Sequence, residues 1–275
     1  MKKIAILSHV VIDEIHRPGE TESVEQIGGA GAYAAVGASL VSEPGRALIV
    51  SGVGRADRPA ITEWATSRGI DPSGLFDVGE HSPRTHIEYF DDGDRVETPV
   101  YGLEHFEAHT PLPRHLPQSE LAGVYLFHAH EASYWDQVGQ LPHPILWEIS
   151  RDSCHPSHLA RVRELAATID VLSINVAEAE ALLGDSRLAD LAPIVVLRAG
   201  ERGSLVIKGS ERIEVPAIPV IPKDPTGGGN SYSGAFIAIY AATGDPAAAG
   251  RAAAEAAGVV VSSAGTPAVI RKASS

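Results

Sequence analysis

The chain has 275 residues, of which 44% are hydrophobic and 21% are charged, and its formal net charge at pH 7 is −13. This composition is typical of one large globular domain with a full apolar core. The acidic balance argues against a nucleic acid or an anionic membrane as a partner. The single cysteine, Cys154, excludes an intramolecular disulfide and favours a reducing compartment.

The N-terminal segment predicts a buried first strand over residues 4–7 instead of a signal peptide. The positive start, Met-Lys-Lys, is followed by an apolar run that His9 interrupts and that soon reaches Asp13. No small-residue cleavage site follows a proper apolar core. No stretch approaches the roughly 18 apolar residues that a membrane span needs. We therefore expect a soluble, cytoplasmic protein without a membrane partner.

Short apolar runs and longer helix-like segments alternate along most of the chain. The pattern predicts strands over residues 4–7, 47–52, 124–128, 145–149, 171–174, 194–197 and 204–207, and helices over 61–68, 159–167, 178–183, 231–242 and 246–262. Such alternation favours parallel β-α-β units with helices on both faces of one sheet. The alanine-rich helices at the end of the chain allow close packing, and we expect them to be structural.

Two stretches interrupt this alternation, residues 10–28 and residues 84–101. The first is polar with scattered β-branched residues. The second alternates polar and apolar residues on both sides of an Asp-Asp-Gly-Asp turn at residues 91–94, which is a hairpin signal. An inserted hairpin forms either a flap outside the main sheet or an extension of that sheet's edge. The pattern leaves both alternatives open.

Three consecutive glycines, Gly227, Gly228 and Gly229, stand just before the helix-like segment 231–242. Glycine lets the backbone approach a ligand closely, and a helix N-terminus presents unpaired N–H groups with a partial positive charge. The combination predicts an anion site that suits phosphate. The alternative is an ordinary glycine-rich loop that enters a helix.

The run Asp-Pro-Thr-Gly-Gly-Gly-Asn at residues 224–230 resembles the C-terminal signature of the PfkB (ribokinase-like) carbohydrate and nucleoside kinases, which reads roughly Asp-Thr-x-Gly-Ala-Gly-Asp. Asp224 matches the first acid of that signature. The three glycines match the turn that forms the oxyanion hole. Asn230 falls where the family has its catalytic aspartate, and this is a departure from the family pattern.

The resemblance covers most of the chain in the order expected for that family. It implies a single ribokinase-like α/β domain over residues 1–275, with a central, mainly parallel β-sheet flanked by helices. It also implies a small β lid over the substrate site, made of approximately residues 10–28 and 84–101. Lids in this family often pair between subunits, so the resemblance further implies a homodimer formed through the lid.

The expected substrate side begins at the glycine turn Gly28-Gly29, which resembles the family's Gly-Gly-x-x-x-Asn segment that contacts substrate hydroxyls. Tyr33 stands where the family usually has asparagine, which implies an acceptor other than an ordinary pentose or hexose. Asp13 resembles the family's aspartate near the lid, which accepts hydrogen bonds from two sugar hydroxyls; a carboxylate suits this role because it only accepts and can take two donors at once. Without the family pattern, Asp13 is more simply a solvated loop acid.

The expected nucleotide side contains Asn175 and Glu178, which match the family's Asn-x-x-Glu motif. There the asparagine lies near the phosphates, and the glutamate helps to organise Mg²⁺ through water. The same pair is also a helix capping box, and both roles are compatible. Arg198, Gly200 and Gly203 resemble the family's Thr-x-Gly-x-x-Gly turn, with Arg198 either a bidentate phosphate ligand or a surface residue. The implied cofactors are ATP and Mg²⁺, with Glu178 on the metal side.

Two further clusters follow predicted strands. Glu148 and Arg151 lie where the family commonly has Asp-x-Asn-x-Arg, which makes them weak candidates for the phosphate side. His128, His130 and Glu131 carry metal-ligating groups. Three such residues within four positions rarely share one face of an element, and no second cluster has matching spacing. The sequence therefore argues against a zinc site at these residues.

Asn230 decides how the site would work. A neutral amide is not a useful base near pH 7, and loss of a general base typically costs about 10²–10⁴ in rate. The glycine turn would still stabilise charge on the transferring group. Three outcomes remain open: a slow kinase, a kinase whose base is another residue such as Asp224, or a binding protein that has lost the chemistry.

The function favoured by these residues is ATP- and Mg²⁺-dependent phosphotransfer to a hydroxymethyl group of a sugar, nucleoside or related small alcohol. The alternative is a catalytically impaired pseudokinase that binds a nucleotide or sugar and has a regulatory or scaffolding role. A dinucleotide-binding oxidoreductase is disfavoured, because no Gly-x-Gly-x-x-Gly follows the first strand.

Overall fold

The computed structural model describes residues 2–19, 22–90, 95–128, 132–184 and 187–268. The strands are β1 (Lys3–Leu7), β2 (Val11–His16), β3 (Val24–Gly28), β4 (Ala47–Val53), β5 (Asp71–Asp77), β6 (Arg84–Tyr89), β7 (Arg95–Pro99), β8 (Leu121–His128), β9 (Ile145–Ile149), β10 (Val171–Asn175), β11 (Ile194–Arg198), β12 (Ser204–Lys208) and β13 (Glu211–Val215). The helices are α1 (Gly29–Leu40), α2 (Arg58–Ser67), α3 (Gly102–Ala108), α4 (Ala132–Val138), α5 (Leu159–Ala166), α6 (Val176–Leu183), α7 (Gly228–Thr243) and α8 (Pro246–Val261). None of these described helices is long and apolar enough to cross a membrane.

The large sheet contains nine of the described strands, in the order β13-β12-β11-β10-β9-β8-β1-β4-β5. The strands from β11 to β5 run parallel to their neighbours, with pairs such as Ile6 with Ile49 and Leu172 with Val195. β12 and β13 continue one edge as antiparallel strands. The parallel strands read as continuous apolar runs, because helices cover both of their faces.

Two apolar clusters lie on the two faces of the large sheet. Ile4 and Ile6 of β1 belong to the cluster that also contains α1, α2, α7 and α8. Ala5 and Leu7 belong to the cluster on the other face, which contains α4, α5 and α6. All four side chains are fully buried, and they alternate between faces because successive residues of a strand point to opposite sides. The sheet is thus the middle layer of three.

α1 and α7 cross at close range because glycine stands at both contact points. A Cβ on Gly37 of α1 would overlap the carbonyl oxygen of Ser231 in α7. A Cβ on Gly234 of α7 would overlap the carbonyl oxygen of Ala34 in α1. α8 packs against α7 with an alanine-rich face. The alanine-rich helices therefore serve packing, and they hold the start of α7 against α1.

The small sheet contains four strands in the order β3-β2-β6-β7. β2 is antiparallel to β3 and parallel to β6, and β6 is antiparallel to β7. Segments 10–28 and 84–101 therefore pair with each other, and in the described residues neither extends an edge of the large sheet. The turn at residues 91–94 lies outside the described residues.

The strands and helices expected from the alternating pattern are all present, with ends that differ by up to three residues. The pattern missed β5, β13, α3 and α4. β5 contains Pro72 and Gly74 and lacks regular alternation, so its pairing with β4 decides its conformation. β13 is mostly exposed and is added to the sheet edge by β12. α3 and α4 have seven residues each, which is too short for a clear periodic signal.

α7 begins at Gly228, three residues before the expected start of the helix at position 231. Gly227 is the N-cap residue and has φ of 74°, in the left-handed region that favours glycine. The glycines therefore form the beginning of the helix and not a loop that precedes it. This difference matters, because it places their N–H groups at the positive end of the helix dipole.

Candidate active site

Polar side chains follow the carboxyl ends of neighbouring parallel strands. Ser8 and His9 come directly after β1, Glu148 lies near the end of β9, and Asn175 and Arg198 are the last residues of β10 and β11. The carboxyl ends of parallel strands meet at one edge of a sheet, and ligands of open α/β sheets bind in the crevice outside that edge. The fold therefore gathers these side chains where a ligand site is expected.

One cavity, of about 320 Å³, lies between the small sheet and the start of α7, and we term it the small-sheet cavity. Its lining residues are Ser8, His9, Val11, Asp13, Gly29, Ala30, Tyr33, Thr85, Ile87, Glu97, Phe106, Phe127, Thr226, Gly227 and Asn230. A volume near this value is typical of small-molecule sites, which combine apolar walls with a few polar groups. The cavity fits a small ligand that carries several hydroxyl groups.

The small sheet covers this cavity with the side chains of one face. Asp13 and Thr85 lie opposite each other in β2 and β6, and both line the cavity. Asp13 is only 6% exposed. A Cβ on Gly28 would overlap Oδ2 of Asp13, so glycine at this position makes room for the carboxylate. Asp13 is therefore a buried acid at a cavity wall and not a solvated loop acid.

A second cavity, of about 620 Å³, lies beside α8, and we term it the α8 cavity. Its lining residues are Arg198, Gly200, Glu201, Gly203, Ala217, Ile218, Pro219, Val220, Pro222, Pro225, Gly228, Gly229, Tyr232, Ala254, Ala257, Gly258 and Val261. Most of these residues are apolar, and the volume lies within the range of about 300–1,000 Å³ that is common for cofactor sites. The cavity is suited to a flat apolar group that is attached to an anion.

The start of α7 separates the two cavities. Gly227 and Asn230 line the small-sheet cavity, and Gly228 and Gly229 line the α8 cavity. Tyr33 packs against this partition, since a Cβ on Gly227 would overlap its ring. A group bound in one cavity can thus meet a group bound in the other at this helix start.

The backbone N–H groups at this helix start are available to an anion. Gly228 N donates to the carbonyl of Pro225, and Ser231 N donates to the carbonyl of Gly227. The N–H groups of Gly229 and Asn230 have no such acceptor among the described residues, as expected for the first turn of a helix. These N–H groups and the helix dipole together make this helix start a candidate anion site.

Asn230 is held in one orientation by two groups of the large sheet. Its Nδ2 donates to Oε1 of Glu148 at 3.1 Å and approaches the hydroxyl of Tyr125 at 3.5 Å. The Tyr125 hydroxyl donates to Oε2 of Glu148 at 2.9 Å. Burial, followed by the charge of Glu148, raises the pKa of Tyr125 well above its ordinary value, so this hydroxyl stays a donor. Because a carboxylate only accepts, the amide nitrogen must face Glu148, and Oδ1 is turned away from it.

Arg198 lies directly beneath the anion site. Its Nη1 is 2.9 Å from Oε1 of Glu148, and its Nη2 is 3.8 Å from Oε2 of Glu178. A Cβ on Gly229 would overlap Nη1, so the guanidinium and the turn are in contact. The Arg198 side chain is 12% exposed, which contradicts the interpretation of Arg198 as a surface residue. Its charge adds to the positive potential of the helix start.

Asn175 and Glu178 form the capping box that the sequence indicated. Asn175 Oδ1 accepts the N–H of Glu178, and Glu178 Oε2 accepts the N–H of Asn175, each at 2.9 Å. Burial raises the pKa of Glu178, while the N–H of Asn175 and the charge of Arg198 act in the opposite direction. The cap is thus confirmed, and it holds the Glu178 carboxylate next to Arg198.

The chemistry of this donor set fits Mg²⁺. Glu148 and Glu178 carry two negative charges around the single positive charge of Arg198, which leaves a local excess of one negative charge. Mg²⁺ prefers one or two carboxylates, several waters and phosphate oxygens. Glu178 is the carboxylate in this set that could hold such an ion through water.

His9 is a neutral, partly buried wall of the small-sheet cavity. Its pKa is lowered to about 3, mainly by burial. A hydrogen bond with the Phe106 backbone acts in the opposite direction, whereas the charges of His128 and His109 lower the pKa further. Nε2 lies 3.0 Å from the carbonyl oxygen of Phe106, so this nitrogen carries the proton. The ring is 4.1 Å from the ring of Phe106. The other nitrogen, Nδ1, is then an acceptor.

The structure places most of the expected site residues at one of the two cavities. The small-sheet cavity is lined by Asp13, Gly29, Tyr33, Gly227 and Asn230, and the α8 cavity by Arg198, Gly200, Gly203, Gly228 and Gly229. Gly28 lies behind Asp13, as described above. Asn175 and Glu178 line neither cavity and reach the site through Arg198.

Three other expectations have different outcomes. The Asp224 carboxylate lines neither cavity and accepts the N–H of Thr226 at 2.9 Å, so it shapes the turn. Arg151 is exposed and also lines neither cavity. His130 and Glu131 lie outside the described residues, while the ring of His128 packs 4.0 Å from that of Tyr134.

Several site residues were missed by the sequence patterns. Ser8 and His9 follow the first strand directly, and their position at the carboxyl end of β1 was the available signal. Ser8 is 1% exposed, and its Oγ has no hydrogen-bond partner among the residues that the structure describes. Phe106 lies on α3, a helix that was not predicted. Residues 217–222 of the α8 cavity lie in an irregular segment without a pattern.

Comparison with known proteins agrees with this geometry. Residues 147–273 match the family model described as pfkB family carbohydrate kinase. The chain is 29% identical over 260 residues to the cytidine kinase of Thermococcus kodakarensis, which covers 87% of this chain and 89% of that protein. It is also 26% identical over 270 residues to the nucleoside kinase of Methanothermobacter thermautotrophicus, which covers 93% of this chain and 86% of that protein.

The solved structures support the fold. The nucleoside kinase of Methanocaldococcus jannaschii, described as an archaeal member of the ribokinase family, has a TM-score of 0.79 at 19% identity over 97% of this chain and 93% of that chain. The matched segment 147–273 contains the glycine turn and the α8 cavity, and the fold likeness covers almost the whole chain. Residues 147–273 are therefore similar to the PfkB family, and the chain has the ribokinase-like fold.

Proposed function

We propose that the protein transfers the terminal phosphoryl group of ATP, with Mg²⁺, to a hydroxymethyl group of a nucleoside or a related sugar. The observation that carries this proposal is the partition of two cavities by the first turn of α7. A donor phosphate that enters from the α8 cavity and a hydroxyl that enters from the small-sheet cavity would meet at the Gly229 and Asn230 N–H groups. Phosphoryl transfer requires this positioning and charge stabilisation above all.

On the acceptor side, buried polar groups are available to bind hydroxyls. The carboxylate of Asp13 can accept hydrogen bonds, and the hydroxyl of Ser8 can donate or accept one. Gly28 makes room for the Asp13 carboxylate, and Gly29 lines the cavity at the start of α1. These groups would hold the acceptor so that its hydroxymethyl group points toward Asn230.

A nucleoside is the first acceptor to test. The cavity is lined by Tyr33, Phe106, Phe127 and the neutral ring of His9 in addition to its polar groups. Aromatic side chains suit the flat face of a base, and each acceptor or donor at the wall would select among bases. Two relatives of similar length are a cytidine kinase and a nucleoside kinase, which supports the same choice.

Asn230 would orient the attacking hydroxyl, and because a neutral amide is not a useful base, the hydroxyl proton would pass to an oxygen of the transferred phosphoryl group as the new O–P bond forms and the bond to ADP breaks. The Glu148 carboxylate binds Nδ2, which leaves Oδ1 as the acceptor that the amide can offer to a ligand. The reactive hydroxyl would donate to Oδ1 and so be aligned with the phosphorus atom. Asp224 is not part of this proposal, because its carboxylate lines neither cavity and already accepts the N–H of Thr226.

On the donor side, the residues of this chain stabilise negative charge. The N–H groups of Gly229 and Asn230 would bind the transferring phosphoryl oxygens, and Arg198 adds its charge from below the turn. When bound, Mg²⁺ neutralises charge on the phosphate oxygens, and Glu178 would hold it through water. The apolar wall formed by Ile218 and Val220 would pack against the base of the nucleotide.

A second candidate function is a pseudokinase that binds both ligands without turnover. The observation that favours it is the position of Asn230, whose amide is tied to Glu148 and is not a base. Such a protein would keep both cavities and the anion site. The two candidates differ in turnover and agree in binding.

The deciding experiment measures ADP release and ligand binding with the same protein. We expect ATP to bind with Mg²⁺, and a panel of nucleosides and sugars to yield slow but saturable ADP release with one nucleoside. Gly229→Val serves as the matched control, because its side chain would displace Arg198 and block the anion site. This variant should lose turnover, with its fold checked by circular dichroism. Binding of both ligands with no product for any acceptor would support the pseudokinase instead.

A further inference from the structure

The outer face of the small sheet carries a cluster that the phosphotransfer proposal does not use. Glu14 and His16 are two residues apart in β2, and His86 lies opposite Glu14 in β6. Residues two apart in a strand share a face, and directly opposed residues of neighbouring strands share it too. All three side chains therefore point away from the face that carries Asp13 and Thr85.

The geometry of this cluster suits a metal ion. Each of the three residues offers one ligand atom, and these atoms lie within 4.8 Å of one another. The imidazole rings of His16 and His86 have centroids 4.3 Å apart. In a tetrahedral zinc site the protein atoms lie about 2.0–2.2 Å from the ion, so small side-chain rotations would bring these atoms into range. Imidazole nitrogen and carboxylate oxygen are ligands that zinc accepts together.

Neighbouring charges prepare the Glu14 carboxylate for this role. Arg84 Nη1 donates to Oε1 of Glu14 at 2.9 Å, while Oε2 is the oxygen nearer His86 Nδ1, at 4.0 Å. Arg84 thus orients the carboxylate with one oxygen toward the histidines. Glu25 also pairs with Arg84, and Asp57 lies 3.8 Å from it. Three carboxylates around one guanidinium leave an excess of negative charge, which favours a cation.

We infer that Glu14, His16 and His86 form a binding site for a divalent transition-metal ion, with Zn²⁺ as the ion to test first. The cluster is partly exposed, so water completes the coordination. The ion would bridge β2 and β6, which are adjacent strands of the small sheet. It would therefore restrain the sheet whose other face covers the small-sheet cavity. This site is independent of the anion site and of the proposed phosphotransfer.

The test is titration of the full chain, without a histidine tag, with Zn²⁺ alone, followed by calorimetry. We expect one saturable equivalent, and a rise in the melting temperature with added Zn²⁺ because the ion binds the folded chain. His86→Ala and His16→Ala should each weaken binding by at least about ten-fold, since even residues that only support a metal ligand change affinity by about 10–100-fold. Cobalt should give the visible absorption of a histidine-carboxylate site, and this absorption should be lost in both variants.

Two controls separate this site from other histidines. His155→Ala removes an exposed imidazole that lies 5.9 Å from the ring of His158, and it should leave Zn²⁺ binding unchanged. His130→Ala tests the other histidine cluster of the sequence and should also leave it unchanged. The inference is overturned if no saturable equivalent binds, or if binding survives in both His16→Ala and His86→Ala. Circular dichroism of each variant verifies that the loss is not a loss of fold.

Discussion

The two cavities that meet at the start of α7 differ in the chemistry of their walls. The small-sheet cavity has charged and polar groups such as Asp13, Glu97 and Ser8 among its aromatic residues. The α8 cavity is walled mainly by aliphatic residues, among them Ile218 and Val220. A buried polar group discriminates strongly between ligands that do and do not satisfy it, whereas an apolar wall discriminates weakly. Selectivity should therefore reside in the small-sheet cavity.

The two cavities also come from different parts of the chain. The family match covers residues 147–273, which contain every lining residue of the α8 cavity. Of the small-sheet cavity, it contains only the residues at the start of α7, while the walls contributed by the small sheet lie outside it. The shared part of the family is thus the side proposed to bind the nucleotide.

The largest expected effect concerns the amide between the two cavities. Asn230→Asp alone would set a second carboxylate about 3 Å from Glu148, where Nδ2 now donates. Like charges at that distance raise the pKa of one of the two carboxyls, so the pair would tend to share one proton and the new carboxyl would be a poor base. The double variant Asn230→Asp with Glu148→Gln removes this repulsion. We expect ADP release to rise by about 10²–10⁴ in the double variant, the usual contribution of a general base.

The single variant is the control for this experiment. It should gain far less activity than the double variant at pH 7, and its gain should grow as the pH rises. Glu148→Gln alone should not increase ADP release. An equal gain in the single and double variants would show that Glu148 does not determine the charge at position 230.

A second prediction tests whether Arg198 contributes both to ligand binding in the α8 cavity and to the stability of the fold. Arg198→Met leaves Glu148 and Glu178 without their cation, and breaking a buried ion pair costs about 3–5 kcal/mol. We expect the free energy of unfolding in urea to fall by about 3 kcal/mol, because both partners are largely buried, and ATP binding to weaken. Arg187→Met is the matched control, because its pair with Asp190 is exposed and should contribute about 0–1 kcal/mol. Equal stability of the two variants would contradict the prediction.

A third prediction concerns pH and the small-sheet cavity alone. The folded-state pKa of His9 is about 3, against 6.5 for an ordinary histidine. Below pH 6.5 the unfolded chain therefore binds a proton that the folded chain does not, and stability falls as the pH falls toward 3. The contribution of His9 to this loss is about 2 kcal/mol between pH 6.5 and 4.5. His9→Asn should lose this part of the pH dependence.

The measurement is urea unfolding of both proteins at several pH values in that interval. Asparagine keeps a donor for the Phe106 carbonyl, which reduces other effects of the substitution. His155→Asn, at an exposed position, should follow the natural protein. If His9→Asn shows the same pH profile as the natural protein, His9 is not the group that remains neutral.

The smallest expected effect is that of Ser8→Ala, which should change the KM for the acceptor and leave the KM for ATP unchanged. Ser8 Oγ is buried at the small-sheet cavity without a partner in the described residues, so its removal should not destabilise the fold. A hydrogen bond to a bound acceptor would contribute about 1 kcal/mol, or roughly five-fold in the acceptor KM. The KM for ATP should not change. An unchanged acceptor KM would exclude Ser8 from acceptor binding.

Much of the fold could be predicted because its signals are local. Apolar runs predicted the parallel strands, and the small residues after the three glycines predicted helix α7. Prediction failed where a neighbour decides the conformation, as in β5, whose Pro72 and Gly74 are unusual for a strand that pairs with β4. It also failed for α3, which brings Phe106 to the cavity with too few residues to show a period.

By itself, the sequence determined the family signature, the order of the β-α-β units and the absence of a carboxylate at position 230. Only the tertiary structure decided how that absence is accommodated. Glu148, Arg198 and Asn230 are each about 30 or more residues apart in the chain. Strands β9 and β11 and helix α7 bring them together, so that both Arg198 and Asn230 contact the Glu148 carboxylate at 3.1 Å or less. A charge network of this kind depends on distances across the sheet, and the sequence contains no record of those distances.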